Sequence, residues 1–214
     1  MLFRSQGDRL YFASEIKALL PFIDNIETDH GGLAQYLTFQ YTLDDTTLFK
    51  NVHELPPAHY LILRDGRLSI QRYWDIQYTV DFDHTPHYFH ERLRHAVDQS
   101  IDLHLRADVP VGVYLSGGLD SSLISILAGG ASPQNNQAFH GKFAGLAAFD
   151  ESEFAQAAAR AGDKELHEID IGPQDFERRI EDVIYHLDQP IAGPGSFPQF
   201  MVSELAARHV KVVL

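Results

Sequence analysis

The sequence predicts an α/β fold, a parallel sheet with helices on both faces, preceded by a smaller α+β segment. From residue 87 onward, stretches of β-branched or alternating apolar residues take turns with stretches whose apolar residues recur every three or four positions. Strands alternating with helices build parallel sheets. Within that region, Val111-Gly112-Val113-Tyr114-Leu115 leads into Ser116-Gly117-Gly118-Leu119-Asp120-Ser121-Ser122 and then an apolar run, the strand, anion-binding turn and helix order of a nucleotide site. Before residue 76 the runs are shorter and bracket turn dipeptides, with little helical periodicity.

Taken in order, 2–4 and 10–14 read as strands around Gln6-Gly7-Asp8, and Ser14 is placed to cap a helical turn over 15–20 that Pro21 closes. Residues 31–39 read as a helix with Leu33, Tyr36 and Leu37 inward. His59 to Arg64 and Arg67 to Tyr73 flank Asp65-Gly66, a strong short-range hairpin signal. Residues 76–86 are polar and end in Thr85-Pro86, a linker closing in a helix cap with proline at the first helical position. Phe89, Leu93, Val97, Ile101 and Leu105 then mark one helical face. His84, His87, His90 and His95 cluster nearby without a completing carboxylate, and read as a solvated surface.

After the Ser/Gly turn a helix over 122–127 ends at Gly129-Gly130, and 138–143 is the next strand. Asp150 and Glu153 have capping-box spacing for a helix to Ala161 with Gly162 as its stop. A strand over 165–171, a helical face at Phe176, Ile180, Val183, Ile184 and Leu187, an irregular loop over 190–198, a helix over 200–209 and a strand over 210–214 complete the chain.

Composition narrows the function classes. The chain has 214 residues, 44% of them hydrophobic, and a net charge of −13 from 17 basic and 30 acidic side chains. No Lys/Arg run follows a phosphate backbone, so nucleic acid is not an expected partner. With no cysteine, thiolate chemistry and disulfides are excluded. No apolar run approaches the roughly 20 residues of a membrane span, the first residues lack a signal-peptide core, and the cytosol is the expected compartment.

The Ser/Gly turn differs from the common phosphate loop, which carries a lysine for the outer phosphates; no lysine lies near these glycines. Gly117 and Gly118 let amides approach an anion, Ser116, Ser121 and Ser122 add hydroxyl donors, and Asp120 implies a divalent cation between carboxylate and phosphate. The S-G-G-x-D-S order resembles the pyrophosphate loop of the ATP pyrophosphatases, which split ATP between its α and β phosphates.

A second resemblance covers essentially the whole chain. Leu10-Tyr11-Phe12-Ala13-Ser14-Glu15-Ile16-Lys17-Ala18-Leu19, Tyr36-Leu37-Thr38-Phe39, 47–57 and Tyr73-Trp74-Asp75, followed by the Ser/Gly turn, resemble the glutamine-hydrolysing asparagine synthases. That resemblance implies the end of an α+β N-terminal-nucleophile glutaminase domain over 1–75, a linker over 76–86, and over 87–214 the first part of a synthetase domain of the adenine nucleotide α-hydrolase kind. By it the chain begins inside the first domain and ends inside the second, so glutamine hydrolysis is not expected of it alone. The implied substrates are ATP with Mg²⁺, aspartate, and glutamine or ammonia, and a homodimer of the intact protein is compatible with it.

Carried over residue by residue, the resemblance puts the pyrophosphate of ATP on Ser116, Gly117, Gly118, Asp120 and Ser121, with Asp120 on Mg²⁺. It lines the adenine pocket with Tyr114, Leu115 and Gly141, largely through backbone. Gly141 and Lys142 depart from the family, which has a bulkier aliphatic and then a glycine there. Asp150 and Glu151 match a family D-E pair, for which the capping role suffices. Alternatives are a non-catalytic nucleotide-binding fragment and an amidotransferase relative acting on another carboxylate.

Overall fold

The computed structural model describes residues 1–128, 136–143, 145, 150–190, 193 and 195–214. The helix stop expected at Gly129-Gly130 lies outside them. Two compact units are present, Met1–Val80 with Glu181–Gly193, and Asp81–Ile180 with Pro194–Leu214.

In the first unit β1 (Leu2–Gln6) and β2 (Arg9–Ala13) form an antiparallel hairpin, and β3 (His53–Glu54) adds to the other edge of β1. Ile16, Leu19 and Val52 form its small core, with Tyr11 and Phe49 packed against them. Helix α1 (His30–Phe39) starts one residue earlier than expected, because the Asp29 carboxylate accepts from the Gly32 amide at 2.8 Å. Leu37 is exposed, contrary to the expected inward face. The β4 (His59–Arg64) and β5 (Arg67–Arg72) hairpin turns at Asp65 and Gly66, φ 50° and 71°, the paired positive φ of a type I′ turn.

The helix expected over 15–20 is instead two 3₁₀ turns, Ile16–Ala18 and Leu20–Phe22, and Ser14 caps neither. The cap comes from far along the chain: Asp188 Oδ2 accepts from the Ile16 amide at 2.6 Å and Oδ1 from the Lys17 amide at 3.2 Å. The Lys17 ammonium sits 2.9 Å from the same carboxylate. Glu15 foremost, and Asp188 after it, hold the Lys17 amine above its ordinary value against the cost of burial.

The second unit is built on four parallel strands in the order β8 (Glu165–Ile171), β7 (Gln137–Phe143), β6 (Val111–Tyr114), β9 (Val212–Val213). Alternation along the strands sends Val113, Leu115 and Ala138 to one face. There Ile101 of α2 (Pro86–His104), Ala128 after α3 (Leu119–Leu127), and Ala155, Ala158 and Ala159 of α4 (Ser152–Ala161) complete the core. On the other face Tyr114 and Gly141 meet Ser203 and Val202 of α6 (Ser196–Ala206). Helices on both faces are therefore observed. Helix α5 (Pro173–Leu187) follows β8, with Phe176 edge-on to Phe197 at 5.2 Å.

Thr85 caps α2 with Pro86 in its first turn, as expected, but only Val97, Ile101 and Leu105 of the expected face reach the core; Phe89 and Leu93 stay exposed. Helix α6 begins at Ser196, inside the stretch read as a loop, and ends at Ala206. Pro198 falls in its first turn, where the missing N–H has no intrahelical partner to lose.

Toward the amino ends of β7 and β8, Phe139 stacks on His167 and His209 packs tilted against both, the two imidazole centroids 4.0 Å apart. Burial first, then the His209 charge, pushes His167 below the ordinary histidine value, against the pull of Glu165. A depressed histidine value means the fold prefers the neutral ring. Stability is thus expected to fall as pH drops below about 6.5, and His167→Gln is expected to flatten that part of a pH series of urea midpoints.

Candidate functional site

The Ser/Gly turn lies at the carboxyl end of β6, beside the carboxyl end of β7, which is where open parallel sheets bind ligands. It is tied together by its own hydroxyls. Ser121 Oγ accepts from the Ser116 amide at 3.2 Å, lies 2.9 Å from Ser116 Oγ and donates to the Gly118 carbonyl at 3.2 Å. The Gly118 amide donates to Ser116 Oγ at 3.2 Å. The hydroxyls expected to meet phosphate thus hold the turn's shape, and a bound anion has to share or displace the bonds between them.

Gly117 has φ +95°, and a Cβ there would fall 2.6 Å from the Glu151 carbonyl oxygen. It is therefore needed for packing against the start of α4 as much as for anion access. Gly118 is the glycine that leaves room: a Cβ on it would meet only Ser116 Oγ, at 3.4 Å. It stands at the N-cap of α3 with no side-chain cap, so the first amides of that helix have no side chain closing over them.

Asp120 sits in the first turn of α3. It is exposed and has no hydrogen-bond or ion-pair partner among the described residues. A free hard-oxygen carboxylate beside hydroxyls and helix-terminal amides suits a cation held mainly through substrate phosphates, the usual habit of Mg²⁺. No group of three or more His, Cys, Asp or Glu among the described residues could hold a metal ion by itself.

Tyr114, Leu115, Ser116 and Gly141 line a cleft of about 240 Å³ at the carboxyl ends of β6 and β7, bounded by α6 and by Glu151 at the start of α4. Gly117, Gly118, Asp120 and Ser121 belong to the adjoining turn. The Tyr114 hydroxyl is 2.7 Å from Ser203 Oγ, and the Leu115 amide donates to the Phe139 carbonyl at 2.9 Å. At Gly141 a Cβ would come 2.9 Å from both Ile171 Cδ1 and Val202 Cγ2, so its bareness lets those two side chains pack closely over the strand. Lys142 is 3.5 Å from Asp170 and 3.9 Å from Glu168. The cleft also recruits Phe139, Phe143, Pro198 and Gln199, which no sequence motif singled out.

The D-E pair behaves differently from the expected capping box. Helix α4 has Glu151 at its N-cap without a side-chain bond. Instead Asp150 Oδ1 accepts from the Ser152 amide at 3.1 Å and closely from the Ser152 hydroxyl. The Ser152 hydroxyl, then its amide, hold the Asp150 carboxyl below the ordinary aspartate value. Beyond Ser152 stands the buried His140, Nε2 at 3.2 Å from Ser152 Oγ and Nδ1 at 2.8 Å from the Leu115 carbonyl.

Residues 92–214 match the asparagine synthase family and residues 1–74 match the glutamine amidotransferase domain family. Asparagine synthetase [glutamine-hydrolyzing] 1 of Bacillus subtilis (strain 168) is 32% identical over 210 residues, covering 97% of this chain and 33% of that protein. A putative asparagine synthetase [glutamine-hydrolyzing] of Mycobacterium bovis is 31% identical over 217 residues, 94% of this chain and 32% of that protein. Amidase chyE of Penicillium rubens is 28% identical over 224 residues, 96% of this chain and 33% of that protein. The chain therefore spans about a third of the length of these relatives. With the Ser/Gly turn at the head of a parallel sheet and a family match covering more than half its residues, the chain belongs to the asparagine synthase family of amide-forming ligases.

Proposed function

We propose that this chain carries the nucleotide site of a ligase that makes asparagine from aspartate, ATP and glutamine-derived ammonia. The single observation that carries the reading is the Asp120 carboxylate, without a partner among the described residues, in a Ser116–Ser121 turn that adjoins the cleft through Ser116. In this reading residues 1–75 end the amidotransferase domain, 76–86 link, and 87–214 begin the synthetase domain.

The backbone at Tyr114, Leu115 and Gly141 holds adenine. The amides and hydroxyls of Ser116, Gly117, Gly118 and Ser121 take the pyrophosphate end, and Asp120 holds a Mg²⁺ ion. The ion supplies charge neutralisation on the phosphates. An aspartate carboxylate oxygen bonds to the α-phosphorus as the bond to the β-phosphate oxygen breaks, releasing pyrophosphate. Ammonia then adds to the acyl carbon and AMP leaves with the former carboxylate oxygen. The chain's residues orient the phosphates and stabilise the leaving charge, the usual protein contribution to reactions at phosphorus.

The full-length protein containing this chain is expected to form AMP and pyrophosphate in step with asparagine when given ATP, Mg²⁺, aspartate and glutamine. Chromatography of the nucleotide products checks it, and ADP as the product overturns it. A second reading, the same chemistry on another carboxylate, is favoured by the similarity to amidase chyE; AMP release with a different acid from a panel of acceptors would select it.

A further inference from the structure

Helix α6 leads through a short connection into β9, which runs parallel to β6. The helix therefore descends from the carboxyl ends of the strands, and its first turn stands at the rim of the cleft. Gln199 closes that turn, its amide donating to the Gly195 carbonyl at 3.2 Å. It shares a helical face with Val202 and Ser203, three and four residues on. Val202 packs over Gly141, and Ser203 Oγ lies 2.7 Å from the Tyr114 hydroxyl, so this face looks at the sheet. One turn nearer the rim β6 has already ended, and Gln199 lines the cleft.

Among the described polar side chains that line the cleft, Gln199 is the one still able both to donate and to accept. The Ser203 hydroxyl has one proton and gives it to the Gln199 carbonyl at 2.6 Å, so the Tyr114 hydroxyl directs its own to Ser203 Oγ. Both His140 ring nitrogens face protein partners, and Ser116 is held within the turn. An ionised Glu151 only accepts. The Gln199 carboxamide has no hydrogen-bond partner among the described residues. Across the cleft, the pairing of β7 with β6 ends at Phe139, whose carbonyl accepts from the Leu115 amide. Backbone groups alternate sides along a strand, so the amide and carbonyl of Gly141, two residues on, point past the end of β6 into the cleft.

We propose that the Gln199 carboxamide is a specificity-determining group for the base of the nucleotide, an inference that rests on the nucleotide reading of the cleft. The 6-amino group of adenine carries two hydrogens, one beside ring nitrogen N1 and one beside N7, so each edge offers a donor next to an acceptor. The Gly141 carbonyl and amide meet one edge. The Gln199 side-chain oxygen accepts the second amino hydrogen, and its nitrogen donates to the ring nitrogen of the other edge, the pairing that amide side chains make with adenine. ATP is then held by its phosphates at the Ser116–Ser121 turn and by its base at the α6 rim. A base lacking either ring nitrogen leaves one donor in the cleft without a partner, which weakens binding.

The test is equilibrium titration of the full chain, in magnesium, with ATP, 7-deaza-ATP, 1-deaza-ATP and pyrophosphate. Wild type is expected to bind each deaza analogue about 3- to 10-fold more weakly than ATP, the worth of one hydrogen bond. Gln199→Met keeps the length of the side chain and removes its polar atoms. It is expected to weaken ATP by at least that factor and to erase the penalty for one analogue only, the one altered at the edge Gln199 reads. Pyrophosphate affinity is expected to stay unchanged. Gln199→Ala is expected to repeat the pattern, and a thermal melt checks that both variants fold; Gln199 is exposed, so neither substitution opens the core. Loss of both penalties, loss of neither, no penalty in wild type, or unchanged ATP affinity in the variants overturns the role of Gln199 and leaves the nucleotide reading standing. Weaker pyrophosphate binding in the variants overturns it as well, because the substitution would then act on the turn and not on the base. Failure of wild type to bind ATP overturns the nucleotide reading and this inference together.

Discussion

Asp120→Asn should leave the chain folded while its affinity for ATP in magnesium drops to the value measured in EDTA, a loss on the order of 100-fold, or about 2.7 kcal/mol. Asp120 is exposed and touches nothing among the described residues that a carboxamide would strand. Folding therefore has only a small stake in its charge, about 0.3–1 kcal/mol from its place in the first turn of α3. The cation depends on it, because neutral asparagine is a far weaker ligand for Mg²⁺ and no group of three or more His, Cys, Asp or Glu among the described residues could hold the ion in its place. Titration with ATP, with and without magnesium, checks the prediction alongside a thermal melt. Equal affinities in wild type and variant would remove the metal from Asp120.

Gly117→Val is expected to cost about 3 kcal/mol or more, through two effects that add. Valine at φ +95° is strained whatever surrounds it, and its Cβ would lie 2.6 Å from the Glu151 carbonyl oxygen and 3.3 Å from the Ala155 amide nitrogen. Both obstacles are backbone at the start of α4, so no side chain can swing away. The turn and the helix must part, and nucleotide binding goes with them. Gly118→Ala is the companion: φ is −69° and its nearest neighbour is an ordinary 3.4 Å away, so its effect on the fold is expected to stay below about 1 kcal/mol. Urea midpoints of the two variants compare directly, and equal stability would show that the contact with Glu151 carries no weight.

Much of the second unit was legible because its elements are set by local pattern. The strand over 165–171 is observed with those bounds, as is the end of α4 at Ala161, since period-two alternation and a following glycine need no partner to be read. Where the reading failed, the deciding group was distant or the burial was uneven. Residues 15–20 fall in two 3₁₀ turns whose capping carboxylate, Asp188, lies 172 positions from Ile16, beyond any local pattern. Phe89 and Leu93 obey the helical period of α2 but lie on its exposed half, and periodicity alone cannot say where along a helix the sheet stops.

The candidate site divides in the same way. Ser116, Gly117, Gly118, Asp120 and Ser121 form one contiguous turn, and contiguity is what a sequence displays. The cleft they adjoin is made by Gly141 and Phe143 from β7 and by Pro198, Gln199 and Val202 from α6, residues brought together by the order β8-β7-β6-β9. His140 is the clearest case, because its partners Leu115 and Ser152 are 25 and 12 residues away, the first brought to it by the parallel pairing of β6 with β7 and the second by the packing of α4 on β7.

By itself the sequence determined the succession of strands and helices, the serine and glycine turn with its lone carboxylate, and the family, since each depends on neighbours along the chain. Only the tertiary structure decided that the turn's hydroxyls bind one another, that Gly117 is wedged against Glu151, and that a buried histidine joins Leu115 to Asp150. Those contacts depend on which side chains the sheet and helices bring within about 3 Å, the reach of a hydrogen bond, and that distance is fixed by packing.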